Sequence, residues 1–189
     1  MGKKIVCIDP GHGQPWPGAV YANILESDFV LNIAEKLAAE IQKRDYIVAR
    51  TRHAKEALFD SKDKLNQDLL MRTRIANIFN ADIFISIHFN AFQNHRASGI
   101  ETWHFYQSSK GKRLAENIQS QLVANFQMRD RGVKETSKFV VLKKTIMPAI
   151  LIELGFITSP DDRKILTSAD YPELAARAIA DGIDNYFNG

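Results

Sequence analysis

The sequence predicts an α/β fold: a twisted, mostly parallel sheet flanked by helices on both faces, three layers in all. Two observations carry this expectation. Short apolar runs of strand length alternate with longer stretches in which apolar residues recur every three or four positions. The most apolar of those runs lacks a polar alternation, as expected of strands covered on both sides.

Taken in order, Lys4–Ile8 reads as the first strand and ends at the turn-rich Asp9-Pro10-Gly11-His12-Gly13. Two prolines and a glycine in Gln14–Gly18 keep a helix from starting at once. From Glu26 to Lys43, Phe29, Val30, Ile33, Leu37 and Ile41 form one helical face. Tyr46–Thr51 reads as the next strand. Asp68–Asn80 repeats the helical pattern through Leu69, Ile75, Ile78 and Phe79, with Asp68 expected to cap it. Asp82–His88 and Ile100–Tyr106 follow as strands, and Gly111–Phe126 as a helix with Leu114, Ile118, Leu122 and Phe126 on one side. Phe139–Leu142 and Ala149–Leu154 are expected as short strands, and Ala169–Phe187 as the closing helix. No linker or repeat interrupts the 189 residues, so residues 1–189 read as a single domain.

Composition narrows the function classes. A net charge of +3 is too small to point to nucleic acid, and it would not repel an acidic polymer. The single cysteine, Cys7, rules out an intrachain disulfide and reads as a buried apolar residue on a strand. No apolar run reaches membrane-spanning length. Met1–Lys4 is basic but lacks the long apolar core and small-residue cleavage site of a signal peptide. Export by another route and excision from a longer precursor both fit that beginning.

The chemistry gathers at strand exits, where α/β folds bind ligands. His12 lies just past the first strand between two glycines, His88 ends Phe84-Ile85-Ser86-Ile87-His88, and Glu153 ends Ile150-Leu151-Ile152-Glu153. A lone histidine after an apolar strand is more often structural, but a lone glutamate there is rarer, because an unpaired buried carboxylate is costly. Three such exceptions at equivalent places point to a shared site. Glu26 opens the first long helix, where a carboxylate can simply complement the helix dipole, yet it follows closely on the His12 loop. Two imidazoles and a carboxylate make a catalytic zinc set with a position left for water. A carboxylate outside that set serves as general base. His53, His95 and His104 stand in a charged loop, a polar loop and an aromatic strand, and are not expected to bind the metal. Gly11-His12-Gly13 lacks the ending of a phosphate-binding loop, and no Ser or Cys sits in a nucleophile elbow. Trp16, Trp103 and Tyr106 have the chemistry to stack on sugars but more often serve packing.

From Ile5 to Phe187 the chain resembles the catalytic domain of the zinc N-acetylmuramoyl-L-alanine amidases of cell separation, sporulation and phage lysis. The resemblance rests on Ile8-Asp9-Pro10-Gly11-His12-Gly13, Glu26-Ser27-Asp28, Thr51-Arg52, and Arg72 followed by Ala76-Asn77. It continues through Ala81 to Ala91, Gly99-Ile100-Glu101-Thr102, Asp130-Arg131-Gly132-Val133-Lys134, and Met147 to Ile157. It implies one zinc ion on His12, Glu26 and His88, with Glu153 catalytic. The implied substrate is peptidoglycan, cut between the lactyl group of N-acetylmuramic acid and L-alanine of the stem peptide, so the place of action is the bacterial cell wall.

Some positions depart from the family pattern. Ser27 replaces a common lysine, Phe89 a common alanine with an expected effect on the cleft wall, and the acidic residue often found after Thr-Arg is missing in His53-Ala54-Lys55. Members that need an activator carry a long insertion where this chain has only Gln107–Lys110, so no autoinhibitory helix and no activator partner are expected. The alternatives are a zinc peptidase cutting within the stem peptide, a wall-binding module without catalysis, and a domain using zinc only to fold.

Overall fold

The computed structural model describes residues 2–189. Strand β1 (Ile5–Pro10) leads through the His12 loop to a minimal hairpin, β2 (Val20–Tyr21) and β3 (Ile24–Leu25), and then to helix α1 (Glu26–Lys43). Ala22 and Asn23 turn that hairpin with positive φ at both central positions, which matches the twist of the flanking strands. There follow β4 (Ile47–Arg50), α2 (Leu65–Ile78), β5 (Ile83–Asn90), β6 (Ile100–Phe105), α3 (Ser109–Asn125), β7 (Asp130–Thr136), α4 (Val140–Lys144), β8 (Ala149–Phe156), α5 (Pro160–Leu166) and α6 (Tyr171–Asn188).

The sheet runs in the order β4-β1-β5-β8-β6-β7. Every neighbouring pair is parallel except β6 with β8. Side chains alternate across it. Val6, Ile8, Ile83, Ile85, Ile87, Ile150 and Ile152 pack under α1, α3 and α6. Cys7, Phe84, Ala149 and Leu151 face the shorter α2 and α4. The expected three-layer α/β architecture is therefore observed, with the larger core on the α1/α3/α6 side.

Two local expectations need correction, and strand β7 and helix α5 have no counterpart among them. Phe139–Leu142 is not a strand: the chain turns into α4, with the Phe139 carbonyl accepting from Leu142 and Lys143. Four consecutive apolar residues fit either a buried strand or one helical turn, and here Val141 and Leu142 both cover the sheet. Strand β7 was hidden because Asp130–Thr136 is polar, as befits a half-buried strand at the sheet edge. Asp68 does not cap α2, which starts at Leu65. It lies in the first turn, accepting from the Leu58 amide and the Arg72 Nε. Helix α5 was also not anticipated, although Ser159 caps it and Pro160 opens it in the usual manner.

Candidate metal centre and catalytic cleft

Strand parity brings the candidate residues to one place. Ile85 and Ile87 face the large core, so His88 faces the α2/α4 side, and Ile152 likewise directs Glu153 there. Parallel register sets His88 directly beside Glu153. Both lie near the carboxyl ends of β5 and β8, next to the end of β1.

The loop after β1 is held by backbone constraints and two arginines. His12 adopts φ 62°, a left-handed conformation that costs energy for a side-chain-bearing residue and must be imposed by its surroundings. Arg52 donates to the carbonyls of Pro10, Gly11 and Ser27. Arg72 donates to those of Pro10 and His12. Arg72 is also paired with Asp9 at 2.9 Å and Asp68 at 2.6 Å, while Thr51 and Ser86 donate to Asp9. Burial opposes ionisation of Asp9, but Arg72 and the two hydroxyls outweigh it and hold the carboxyl below its ordinary range. At Gly11 a Cβ would overlap the His88 imidazole, and at Gly18, with φ +73°, it would overlap Glu26 and His12. Only glycine leaves room at both positions.

Glu26 reaches this point from the first residue of α1. The carbonyls of Ala19 and Pro17 take the amides of Glu26 and Ser27, fixing the helix start against the loop. Glu26 Oε2 accepts from the Ala19 amide and Oε1 from the Phe89 amide. Oε1 then lies 3.1 Å from His12 Nε2 and 3.0 Å from His88 Nδ1, and the two ring nitrogens are 3.1 Å apart. Protons on the ring nitrogens can satisfy some of these contacts but not all three sides of such a triangle at once. Donor atoms of one tetrahedral zinc, at bonds of about 2.0–2.1 Å, stand roughly 3.3 Å apart, so the set has the chemistry and nearly the spacing a zinc ion needs. Burial pushes Glu26 toward protonation, yet the two imidazoles overcome it and keep the carboxyl ionised. Burial, and then the neighbouring His12, favour neutral His88, the form that binds a metal.

Glu153 lies beside this triangle in a cleft of about 700 Å³ that His12, Trp16, Leu69, Phe139 and Val141 help to wall. Its Oε2 is buried and has no hydrogen-bond partner among the described residues. Burial first, then the charges of Glu26 and Glu101, push Glu153 well above the usual carboxylate range, while Lys134 acts in the opposite sense. A carboxyl with raised proton affinity and a free oxygen suits proton transfer.

A family model described as N-acetylmuramoyl-L-alanine amidase matches residues 6–185. The chain belongs to that family. The amidase LytC of Bacillus subtilis is 36% identical over 186 residues, covering 97% of this chain but only 36% of LytC. An N-acetylmuramoyl-L-alanine amidase from Clostridium difficile 630 has a crystal structure that superposes with a TM-score of 0.89 at 36% identity, covering 100% of this chain and 99% of that one. The CwlD amidase of Clostridioides difficile, solved in complex with the GerS lipoprotein, gives a TM-score of 0.93 at 32% identity, covering 98% of this chain and 99% of that one.

Within this amidase fold the remaining sequence candidates separate. His104 is buried in β6 against the Phe105 carbonyl, His95 packs edge-on to Tyr21, and His53 is exposed. Phe89 does not line the cleft, contrary to expectation. It is buried on the opposite side of the sheet against Phe29 and Tyr171, because it follows His88 by one residue along the strand. Ser27 is buried with an unpartnered hydroxyl. Trp16 lines the cleft, Trp103 packs on Phe139, and Tyr106 is half exposed. Arg52, Arg72 and Glu101 stand among the family landmarks of the sequence, which by itself carries no sign of their role. Their signal, a charged residue inside an otherwise structured segment, acquires meaning only from the partners.

Proposed function

We propose that this chain is a zinc-dependent N-acetylmuramoyl-L-alanine amidase that hydrolyses the amide joining the lactyl group of N-acetylmuramic acid to L-alanine of the stem peptide. The observation that carries this reading is the convergence of His12, Glu26 and His88 within about 3 Å of one another, next to the unpartnered Glu153. Family membership points to the bond, and the cell wall is accordingly the place of action. Among the described residues no helix is long and apolar enough to cross a membrane.

A bound zinc ion supplies an acidified water and positive charge for a developing oxyanion. His12, His88 and Glu26 would hold that ion. Glu153, with its raised proton affinity, takes the water proton at its free carboxylate oxygen and returns it to the departing alanine nitrogen. Arg52 and Arg72 keep His12 in place through the loop carbonyls, and the apolar walls at Leu69, Phe139 and Val141 limit competing water.

Only Tyr106–Ser108 separates β6 from α3, too few residues for a blocking helix, so the purified chain is expected to act without an activator. The deciding experiment is mass spectrometry of fragments released from purified peptidoglycan by the wild type and by Glu153→Ala. Intact stem peptides with a free N-terminal alanine, absent from the variant digest, support the proposal. Cuts within the stem would instead make the protein a zinc peptidase. An inert wild type, revived by no added metal, would overturn the catalytic reading.

A further inference from the structure

Across the β8–β6 ladder from Glu153 stands a charged group that the hydrolysis does not use. Glu101 is the register partner of Glu153 and only 3% exposed. Its Oε1 accepts from Trp103 Nε1 at 3.1 Å and Asn90 Nδ2 at 3.3 Å, and its Oε2 from Arg131 Nε at 2.6 Å and Lys134 Nζ at 2.5 Å. One cation would neutralise this carboxylate. Two leave a surplus positive charge beside the cleft.

Both cations are held still and both keep donors free. The Lys134 ammonium sits 5.2 Å from the centre of the Trp103 ring, and the Arg131 guanidinium 5.0 Å from that of Phe156. Trp103 in turn packs on Phe139, which walls the cleft. The Lys134 side chain is 32% exposed and gives one of its three N–H groups to Glu101. Arg131 is 25% exposed and uses Nε and Nη1, the latter to the Ser98 carbonyl, leaving Nη2 without a partner among the described residues. His88, Glu153 and Glu101 thus form a row across β5, β8 and β6, and Lys134, whose register partner on β6 is Trp103, reaches back from β7 to Glu101 through its side chain. With strands about 4.8 Å apart, the cations stand roughly 10–15 Å from the metal-binding strand.

We propose that Lys134 and Arg131, positioned by Glu101, form an anion subsite for a stem-peptide carboxylate on the alanine side of the scissile amide. The proposal rests on the amidase reading above. An extended chain advances about 3.3–3.6 Å per residue, so a carboxylate two or three residues past the reacting carbonyl spans much of that gap, and the long cationic side chains cover the rest.

The test uses two synthetic muropeptides that differ only at the α-carboxyl of the residue after alanine, a free carboxylate in one and a primary amide in the other. The wild type is expected to favour the free carboxylate. Lys134→Gln should lower kcat/KM on it by about ten- to a hundred-fold, the factor for losing a charge-assisted hydrogen bond, mostly through KM. On the amide the same variant should change little. Lys134→Arg keeps the charge and should recover most of the preference. Arg131→Gln serves as the second variant should Lys134→Gln melt early. Equal losses on both substrates would mean a structural role and overturn the subsite, as would a wild type that cleaves both equally well. Cleavage of neither substrate by the wild type removes the amidase reading and this subsite with it.

Discussion

Under α1, α3 and α6 the sheet buries mainly apolar side chains, with Thr102, His104 and Gln119 as the polar exceptions beneath α3, whereas the face under α2 and α4 buries the charged Asp9, Asp68, Arg72 and Glu101, with Ser86, beside a smaller apolar cluster. The first face gains stability in proportion to the apolar area it removes from water. The second gains less from burial and pairs its buried ions, because an unpaired one is costly, while burial pushes the unpartnered Glu153 toward its neutral form. That arrangement gives one sheet a mainly apolar side and a side that carries the candidate site. The latter side stays orderly because Arg72 and Arg52 connect its charges to the His12 loop.

This contrast is open to direct challenge. The largest stability loss should follow Arg72→Met, which strands Asp9 and Asp68 in the interior. About 3–5 kcal/mol at neutral pH is expected from urea unfolding. Folded Asp9 ionises below its ordinary range, so its contribution is present above pH about 4 and fades as pH falls through its folded value. In the variant Asp9 can protonate instead, and the gap from the wild type should therefore narrow in acid. A gap that is constant or widens would mean Arg72 acts mainly by packing. On the other face, Ile85→Ala should cost about 2–5 kcal/mol with no such pH dependence. Its turnover per folded molecule should stay near the wild type, and a large fall in kcat would show that the two faces are coupled. The smallest effect is expected from Phe79→Ser at the exposed end of α2, within about 0.5 kcal/mol by melting.

Glu153→Ala sharpens the comparison from the catalytic side. It should leave melting and zinc content close to wild type while lowering turnover by about a hundred- to ten-thousand-fold. A matching loss of zinc would move Glu153 into the metal-binding set.

The four candidate residues were legible because each is a polar exception at the edge of an apolar or helical run. His88 and Glu153 each terminate several residues that have no reason to be polar. Glu101 was not legible in the same way. Its strand, Ile100–Tyr106, mixes polar and aromatic residues, so one more carboxylate raised no contradiction. Strand β7 was missed for the related reason that an edge strand needs little apolar surface. The Phe139–Leu142 run misled because four apolar residues satisfy two periodicities equally well.

What the sequence determined by itself was the order of strands and helices, the apolar content of the inner strands, and hence that His12, His88 and Glu153 leave strands on the same edge. Those features follow from local periodicity, in which a residue's neighbours decide whether it turns inward. The tertiary structure alone decided that β5 pairs with β8 in the register that sets His88 beside Glu153, and that Glu26 returns through a two-residue hairpin to complete the triangle. It also decided that β6 runs against β8, placing Glu101 next in the row, with two cations from β7 hydrogen-bonded to it. Register and strand direction are set by contacts between residues far apart in the chain, and no local pattern encodes them.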